Sequence, residues 1–388
     1  MRITHVIGGL NPKAGGPPMV AMSLAAAQAD LGYSVQILSY SSPQDQPAID
    51  WAMAHIPDKQ KVRRLNVPVT SKWESLLAPA ARSHLATWCM DQQMFHLHGV
   101  WEPMLLAAAS FARRSGKPYV VMPHGMLDPY SLSRSRWKKK IALALAYRRM
   151  LNHATFLHML NEEESKLIEL LGLRAVRRTF PNGIFLQEIE SLPEKGGFRR
   201  LHPQLGNKPF VLFLSRLHYK KGLDYLADAF ARVASQEDRV QLVVVGPDAG
   251  EEAAFRARVK QMGLNDRVHL VGPLYGRDKY TALVDATCFC LSSRQEGFSM
   301  AILEAMACGV PVVISENCHF PQVAQARAGL VVPLNADAVA AALHLLLESE
   351  EQRTQMGQNG RRLVRSSYTW PQIAQQIIAA YQSALNKR

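Results

Sequence analysis

Two glutamates eight positions apart, Glu296 and Glu304, stand in the stretch RQEGFSMAILEAMACGVPVV at residues 294–313. Ser299 is placed to cap a helix over 299–308, which Gly309 ends as a left-handed residue past its C-terminus. Glu296 then lies in the loop facing the helix start, and Glu304 lies more than one turn inside, among Met, Ala, Ile and Leu. A carboxylate in that company must either reach water or accept hydrogen bonds from a partner, and paired ribose hydroxyls would serve. The amides of Gly297, Phe298 and Ser299 sit at an orphaned helix start, which suits an anion such as phosphate.

A second constellation is LSRLHYKKGLDYL at 214–226. Arg216 leaves a strand, and Lys221 precedes Gly222 at a helix start. Two cations and free amides so placed can surround a diphosphate, each charge-assisted bond contributing about 1.5–3 kcal/mol. Lys220 reads as a solvated loop cation. GGLNPKAGGPP follows the first strand, and Gly8, Gly9, Gly15 and Gly16 permit close approach of backbone to phosphate or sugar. Neither GxGxxG nor GxxxxGK[ST] occurs there, so a nicotinamide fingerprint and a P-loop are unsupported. His124, in VVMPHGMLDPY, ends a strand beside Gly125, and His98, in FHLHGVW, is a weaker instance of the same placement. For either histidine the competing reading is a structural one.

The elements that must hold these residues alternate. β-rich runs recur at 3–7, 34–40, 119–122, 210–214, 240–245, 268–271, 287–292 and 310–314, with helical patterns at 17–31, 102–114, 222–235, 251–262 and 299–308. Apolar strands alternating with amphipathic helices predict parallel sheets in an α/β fold. Residues 186–207 break the rhythm with Pro, Gly and charge. The expected layout is a first domain over 1–185, a linker over 186–207 and a second domain over 208–370. In open α/β sheets, ligands bind beyond the carboxyl ends of the strands. Arg216, Gly246, Arg294, Glu296, His124 and the glycine loop all fall just there.

Length and composition agree with this layout. A chain of 388 residues exceeds one typical core and predicts two domains of about 150–200 residues. No stretch approaches the roughly 18–20 apolar residues needed to cross a bilayer, and the first residues lack the pattern of a signal peptide. Five cysteines without a CxxC point away from a zinc ribbon or thioredoxin motif and toward a reducing, cytoplasmic compartment. Of the net charge of +13, residues 1–200 carry +10, which implies attraction to something anionic. Within 133–150 there are seven basic residues and no acidic one, interleaved with Ile141, Leu143, Leu145 and Tyr147. Segment 134–149 therefore suits an anionic membrane surface, the alternative being a solvated basic face. No motif that reads RNA or DNA accompanies the charge, so nucleic acid is not an expected partner.

With Glu296 and Glu304 forming E-x7-E, EGFSMAILEAMACGVPVV resembles the family 4 retaining glycosyltransferases. SRLHYKKG is similar to their Arg-x4-Lys-Gly segment, and FPNGI at 180–184 to the segment before their interdomain connection. PHGMLDPYSL followed by KKK is similar to members that build bacterial surface polysaccharide or lipopolysaccharide. The resemblance implies a GT-B fold, two Rossmann-like domains facing across a cleft, with a last helix at about 371–388 packing back on the first domain. By position, Arg216 and Lys221 would hold the donor diphosphate and stabilise it as it leaves, and Glu304 would bind ribose. Glu296, with the backbone of Gly297, Phe298 and Ser299, would hold sugar hydroxyls and phosphate. His124 would touch the sugar near the reacting carbon, and Gly15 and Gly16 would back the diphosphate. Leu274 and Tyr275 would contact the base, and Asn182 and Gly246 would complete the donor site. A proline-rich turn over Ala14–Pro18 departs from the usual loop.

The expected activity is transfer of a sugar from a UDP- or GDP-linked donor to a glycan or lipid-linked glycan, with no cofactor. No Asp-x-Asp occurs in the chain, so fixed cations take the place of a metal held by that motif. A sugar-nucleotide 2-epimerase and a non-catalytic nucleotide-sugar-binding partner are the competing functions.

Overall fold

The structure, a computed structural model, describes residues 1–57, 61–68, 73–133 and 136–386. It divides into two compact units, Met1–Asn182 with Trp370–Arg388, and Gly183–Thr369.

The first unit is built on seven strands: β1 Arg2–Gly9, β2 Ser34–Ser41, β3 Val62–Pro68, β4 Met94–His98, β5 Tyr119–Met122, β6 Phe156–Met159 and β7 Arg177–Thr179. They form one parallel sheet in the order β3-β2-β1-β4-β5-β6-β7. Strands β3, β4, β6 and β7 were not among the sequence expectations. Their apolar runs are short or carry Arg and His, and the buried histidines of β4 and β6 are satisfied only by tertiary partners.

The second unit carries β8 Phe210–Leu214, β9 Gln241–Val245, β10 Val268–Gly272, β11 Cys288–Leu291, β12 Val312–Ser315 and β13 Gly329–Val332. This sheet is also parallel, in the order β10-β9-β8-β11-β12-β13. In each sheet the strand order reverses once, between β1 and β4 and between β8 and β11. In open α/β sheets, ligands bind at the carboxyl edge beside such a reversal.

Helices cover the sheets because their apolar residues recur on one face. In Leu223–Gln236 the buried residues include Leu226, Phe230 and Val233, at i, i+4 and i+7. Burying each contributes about 1.5–3 kcal/mol. The helix Trp370–Leu385 belongs to the first unit, where it packs on the Ala-rich helix Gly16–Asp30 and buries Ile373, Ile377 and Tyr381.

Residues 186–207, expected as a linker, are folded into the second unit instead. They form helices Leu186–Glu190 and Gly197–Leu201 and a 3-10 turn Pro203–Leu205, and Phe198 and Leu205 are buried in that unit's core. The Asp285 carboxylate accepts the amides of Gly196 and Arg199, and the Arg199 guanidinium donates to the carbonyls of Gly206 and Lys208. The Pro, Gly and charge that read as a break are thus spent on tight turns and capping. All five cysteines are buried free thiols.

Candidate functional site

In the second unit the loops after β8 and β11 hold the charged constellation. Backbone bonds from Ser215 N–H to Val245 O (3.0 Å) and Leu217 N–H to Pro247 O (2.9 Å) fix the chain on both sides of Arg216. The Arg216 side chain is exposed and, among the described residues, is ion-paired with no carboxylate. A 3-10 turn, Tyr219–Lys221, follows and ends at Gly222 with φ 65°. A Cβ there would also lie 1.9 Å from Ser292 O, so only glycine lets the two loops touch. Ser292 Oγ donates to Gly222 O at 2.9 Å.

Arg294 stitches these loops together. Its guanidinium donates to both oxygens of Asp224 (2.8 and 2.5 Å) and to Tyr219 O (3.0 Å), and it lies over the Tyr219 and Tyr225 rings. Its own amide donates to Lys220 O at 2.7 Å. Within this frame Lys221 Nζ reaches Glu296 Oε1 at 2.5 Å, and Ser293 Oγ donates to the same oxygen at 2.6 Å. The pair is nearly withdrawn from water, with side chains 14% and 8% exposed. A buried ion pair survives only when its remaining bonds are supplied, and the serine supplies one.

Of the two sequence readings, Glu304 follows the second, with a protein partner that the sequence did not name. It neither reaches water nor stands without a partner: Lys279 Nζ, from helix Gly276–Asp285, donates to its Oε1 at 2.8 Å. Burial pushes the Glu304 carboxyl up from its usual range, and the Lys279 charge pulls against that shift. Burial would lower Lys279, but the carboxylates of Glu304 and Glu188 override it and hold the ammonium charged. The neighbouring Tyr280 hydroxyl donates to Glu188 Oε2 at 2.7 Å.

The remaining expected donor residues of this unit divide by role. Ser299 sits at the N-cap of Met300–Ala307 with extended backbone, but its hydroxyl makes no capping bond to the helix. The helix ends as expected, with Gly309 at φ 75°. The Phe298 ring packs on Phe320 and Tyr368, and the Glu296 amide donates to Asn317 O at 3.0 Å, so the Glu296–Ser299 loop is anchored at both ends. A Cβ on Gly246 would lie 1.8 Å from Ser215 O, a packing reason for glycine beside Arg216. Leu274 packs against the core, and Tyr275, half exposed, precedes the helix that carries Lys279.

In the first unit, Gly15 has φ 119° and Gly16 opens the helix Gly16–Asp30 with free space where a Cβ would stand. The Asn11 side chain accepts the Lys13 amide and orders the turn before them. His124 and Gly125 are both left-handed, at φ 53° and 70°. For a histidine that backbone is strained, and Glu164 holds it by accepting the amides of Gly125 (2.8 Å) and Leu160 (2.7 Å). Asn182 is buried, and its Oδ1 has no partner among the described residues.

Behind His124 lies a buried row of imidazoles. His124 Nε2 lies 3.1 Å from His98 Nδ1, His98 Nε2 lies 2.9 Å from His5 Nδ1, and His5 Nε2 lies 2.9 Å from Gln28 Oε1. His96 Nδ1 meets Tyr381 Oη at 2.5 Å, and His158 Nε2 donates to Phe180 O at 2.9 Å. Burial lowers all five histidines, His5 and His158 to about 4 and His124 to about 3. Nitrogens of His5, His96 and His98 lie within 4.8 Å of one another, the arrangement among the described residues best suited to a metal ion. The His5 and His98 nitrogens are already bonded to each other, to Gln28 and to His124, so a cation there would have to break the row.

Sequence reasoning missed Lys279, Glu164, Glu188, His5 and Gln28. Glu164 is one of three consecutive glutamates after Asn161, and only folding decides which turns inward. For Lys279 the one available signal was the need of Glu304 for a partner.

Two open parallel sheets, each with its glycine or charged loops gathered at the strand-order reversal, define a two-unit Rossmann-type α/β protein. Residues 198–363 match the family described as glycosyl transferases group 1, and residues 15–183 match the glycosyl transferase 4-like domain. A phosphatidyl-myo-inositol mannosyltransferase of Mycobacterium leprae is 28% identical over 95% of this chain and 93% of its own. A GDP-mannose:cellobiosyl-diphosphopolyprenol alpha-mannosyltransferase of Xanthomonas campestris is 23% identical over 99% and 97%. The crystal structure of HepE from Anabaena in complex with UDP and glucose superposes with a TM-score of 0.78 at 19% identity, covering 99% of this chain and all of that one. The chain belongs to the group 1, or family 4, glycosyltransferases and has their GT-B fold.

Proposed function

We propose that this glycosyltransferase takes its sugar from a UDP- or GDP-linked donor and transfers it with retention of anomeric configuration, without a metal ion. The observation that carries this reading is the Lys221–Glu296 pair between the loops after β8 and β11, with the exposed Arg216, ion-paired with no carboxylate among the described residues, shortly before it. Breaking a sugar–diphosphate bond builds negative charge on the leaving oxygen. Lys221 is held before the reaction by Glu296, and backbone bonds on both sides of Arg216 fix the root of its exposed side chain. Two cations so placed supply stabilisation at that oxygen. Glu296 holds Lys221 in place and turns its second oxygen toward sugar hydroxyls. Glu304, with one oxygen bound by Lys279, keeps the other for the ribose. For the first unit the family resemblance gives Gly15 and Gly16 a phosphate-backing role and His124 a contact with the donor sugar.

The acceptor is a glycan or a lipid-linked glycan. Two relatives are named for lipid-linked acceptors, a phosphatidyl-inositol and a diphosphopolyprenol. The described part of segment 134–149 supports contact with an anionic membrane. Trp137, Ile141 and Leu145, four residues apart, are 75%, 56% and 79% exposed beside Lys138 and Lys140, whereas Leu143 and Tyr147 turn into the core. Arg134 and Ser135 lie outside the described residues. No described helix is long and apolar enough to cross a membrane, and the enzyme works on the cytoplasmic face as a peripheral protein.

A panel of UDP, GDP and their sugars, read by thermal shift and then by turnover with chelator present, tests the reading. One nucleoside diphosphate should stabilise the protein by about 2.7 kcal/mol at 100 times its Kd. The product, made in chelator, should keep the donor's anomeric configuration by NMR. Inversion, or loss of turnover in chelator, would overturn it.

A further inference from the structure

We propose that Gln28 sets the tautomer of His124 from the far end of a buried hydrogen-bond row, through His5 and His98, and so makes His124 Nδ1 an acceptor. The bond directions follow one from another. Gln28 Oε1 only accepts, so His5 Nε2 carries the proton across their 2.9 Å contact. His5 and His98 are fully buried, and desolvation holds both, and the partly exposed His124, well below the ordinary imidazole value, so each ring carries one proton and His5 Nδ1 is therefore bare. Facing it at 2.9 Å, His98 Nε2 must donate, which leaves His98 Nδ1 bare. His124 Nε2 then donates to His98 Nδ1 across 3.1 Å, and the Nδ1 of His124 is left with a lone pair and no partner among the described residues. Turning the Gln28 amide over would reverse every bond in the row and put a proton on His124 Nδ1 instead. The row thus has two self-consistent states, and one side-chain amide chooses between them.

The chemical consequence rests on the reading that His124 meets the donor sugar. A bare Nδ1 accepts a hydrogen bond from a sugar hydroxyl, whereas a protonated one would donate to the hydroxyl oxygen and force that hydroxyl's proton to turn elsewhere. Gln28, His5 and His98 are positioning residues in this account. They touch no substrate.

Long-range ¹H–¹⁵N NMR of histidine-labelled protein, free of substrate, reads each tautomer directly. The wild type should show His5, His98 and His124 as single Nε2–H tautomers. An Nδ1–H form or an imidazolium at any of the three would overturn the proposal. Gln28→Leu should release His124 into a mixture of tautomers, and Gln28→Glu, which keeps an acceptor, should restore one. An unchanged His124 in folded Gln28→Leu would also overturn it. The same variant should raise KM for the nucleotide sugar about five- to tenfold, the loss of one neutral hydrogen bond, with the Kd of the free nucleoside diphosphate unchanged. Released tautomers with an unchanged KM would leave the row standing and remove His124 from the sugar site.

Discussion

Lys279 Nζ lies 2.8 Å from Glu304 Oε1, and both side chains are largely buried, at 19% and 11% exposure. The glutamate of an otherwise apolar helix is thereby neutralised by a lysine from the preceding helix. One carboxylate oxygen is committed to the lysine.

Breaking this pair from one side should therefore cost more than removing it. Lys279→Met leaves a buried carboxylate unpaired and should destabilise the second unit by about 3–5 kcal/mol. The double variant Lys279→Met/Glu304→Leu should recover most of that loss in urea titrations, yet bind nucleoside diphosphate no better than Glu304→Leu alone.

Arg216 is exposed, and its side chain makes no hydrogen bond or ion pair among the described residues. Arg216→Ala should leave the melting temperature within a degree or two while lowering kcat roughly 10²- to 10³-fold, the scale of losing one donor to a developing oxyanion. Turnover near that of the wild type, in folded protein, would remove it from the reaction.

Gly222 joins two requirements, a left-handed φ of 65° and a 1.9 Å approach to Ser292 O. Gly222→Ala cannot meet both and should cost at least about 2 kcal/mol. Circular dichroism melts of the full chain should show the loss in the second unit's transition.

Acid should unfold the first unit first. His5, His98, His96, His124 and His158 are all held below their ordinary value of 6.5 by burial. The unfolded chain then binds more protons than the folded one, so stability rises with pH through this range. It is fully present above pH 6.5 and is lost as pH falls toward 4 and 3, by on the order of 3 kcal/mol for His5 alone. Glu102, pushed up to about 7 by burial, acts in the opposite sense between pH 4.5 and 7. Five histidines outweigh it, and stability measured from pH 8 down to 4 should fall steeply below 6.5. A flat profile would contradict their burial as neutral rings.

The exposed face of the basic helix can be tested apart from catalysis. Trp137→Ser with Leu145→Ser should weaken cosedimentation with anionic vesicles about tenfold or more, since each large apolar side chain is worth about 1.5–3 kcal/mol on burial. Turnover on a water-soluble acceptor should stay at the wild-type level. Equal binding of both proteins to vesicles would remove the membrane role.

Much of this molecule was legible from local pattern. Apolar strands such as FVLFL and VQLVVV, and helices with one apolar face, declare themselves because side-chain period follows backbone geometry. The αL stop at Gly309 and the strand-end positions of Arg216, Glu296 and His124 follow from the same local rules. Strands β4 and β6 did not declare themselves, because buried histidines interrupt the apolar run and are satisfied only from other strands.

The sequence by itself determined the fold class, the elements with unbroken apolar patterns and the residues available for chemistry. Tertiary structure alone decided their partners. Lys221 and Glu296 are 75 residues apart, Lys279 and Glu304 are 25 apart, and His5 and His98 are 93 apart. Periodicity reports which face a residue occupies within its own element. It carries no information about which distant charge or ring the sheet order will bring within 3 Å, and that proximity determines whether a carboxylate holds a ligand, a lysine or both.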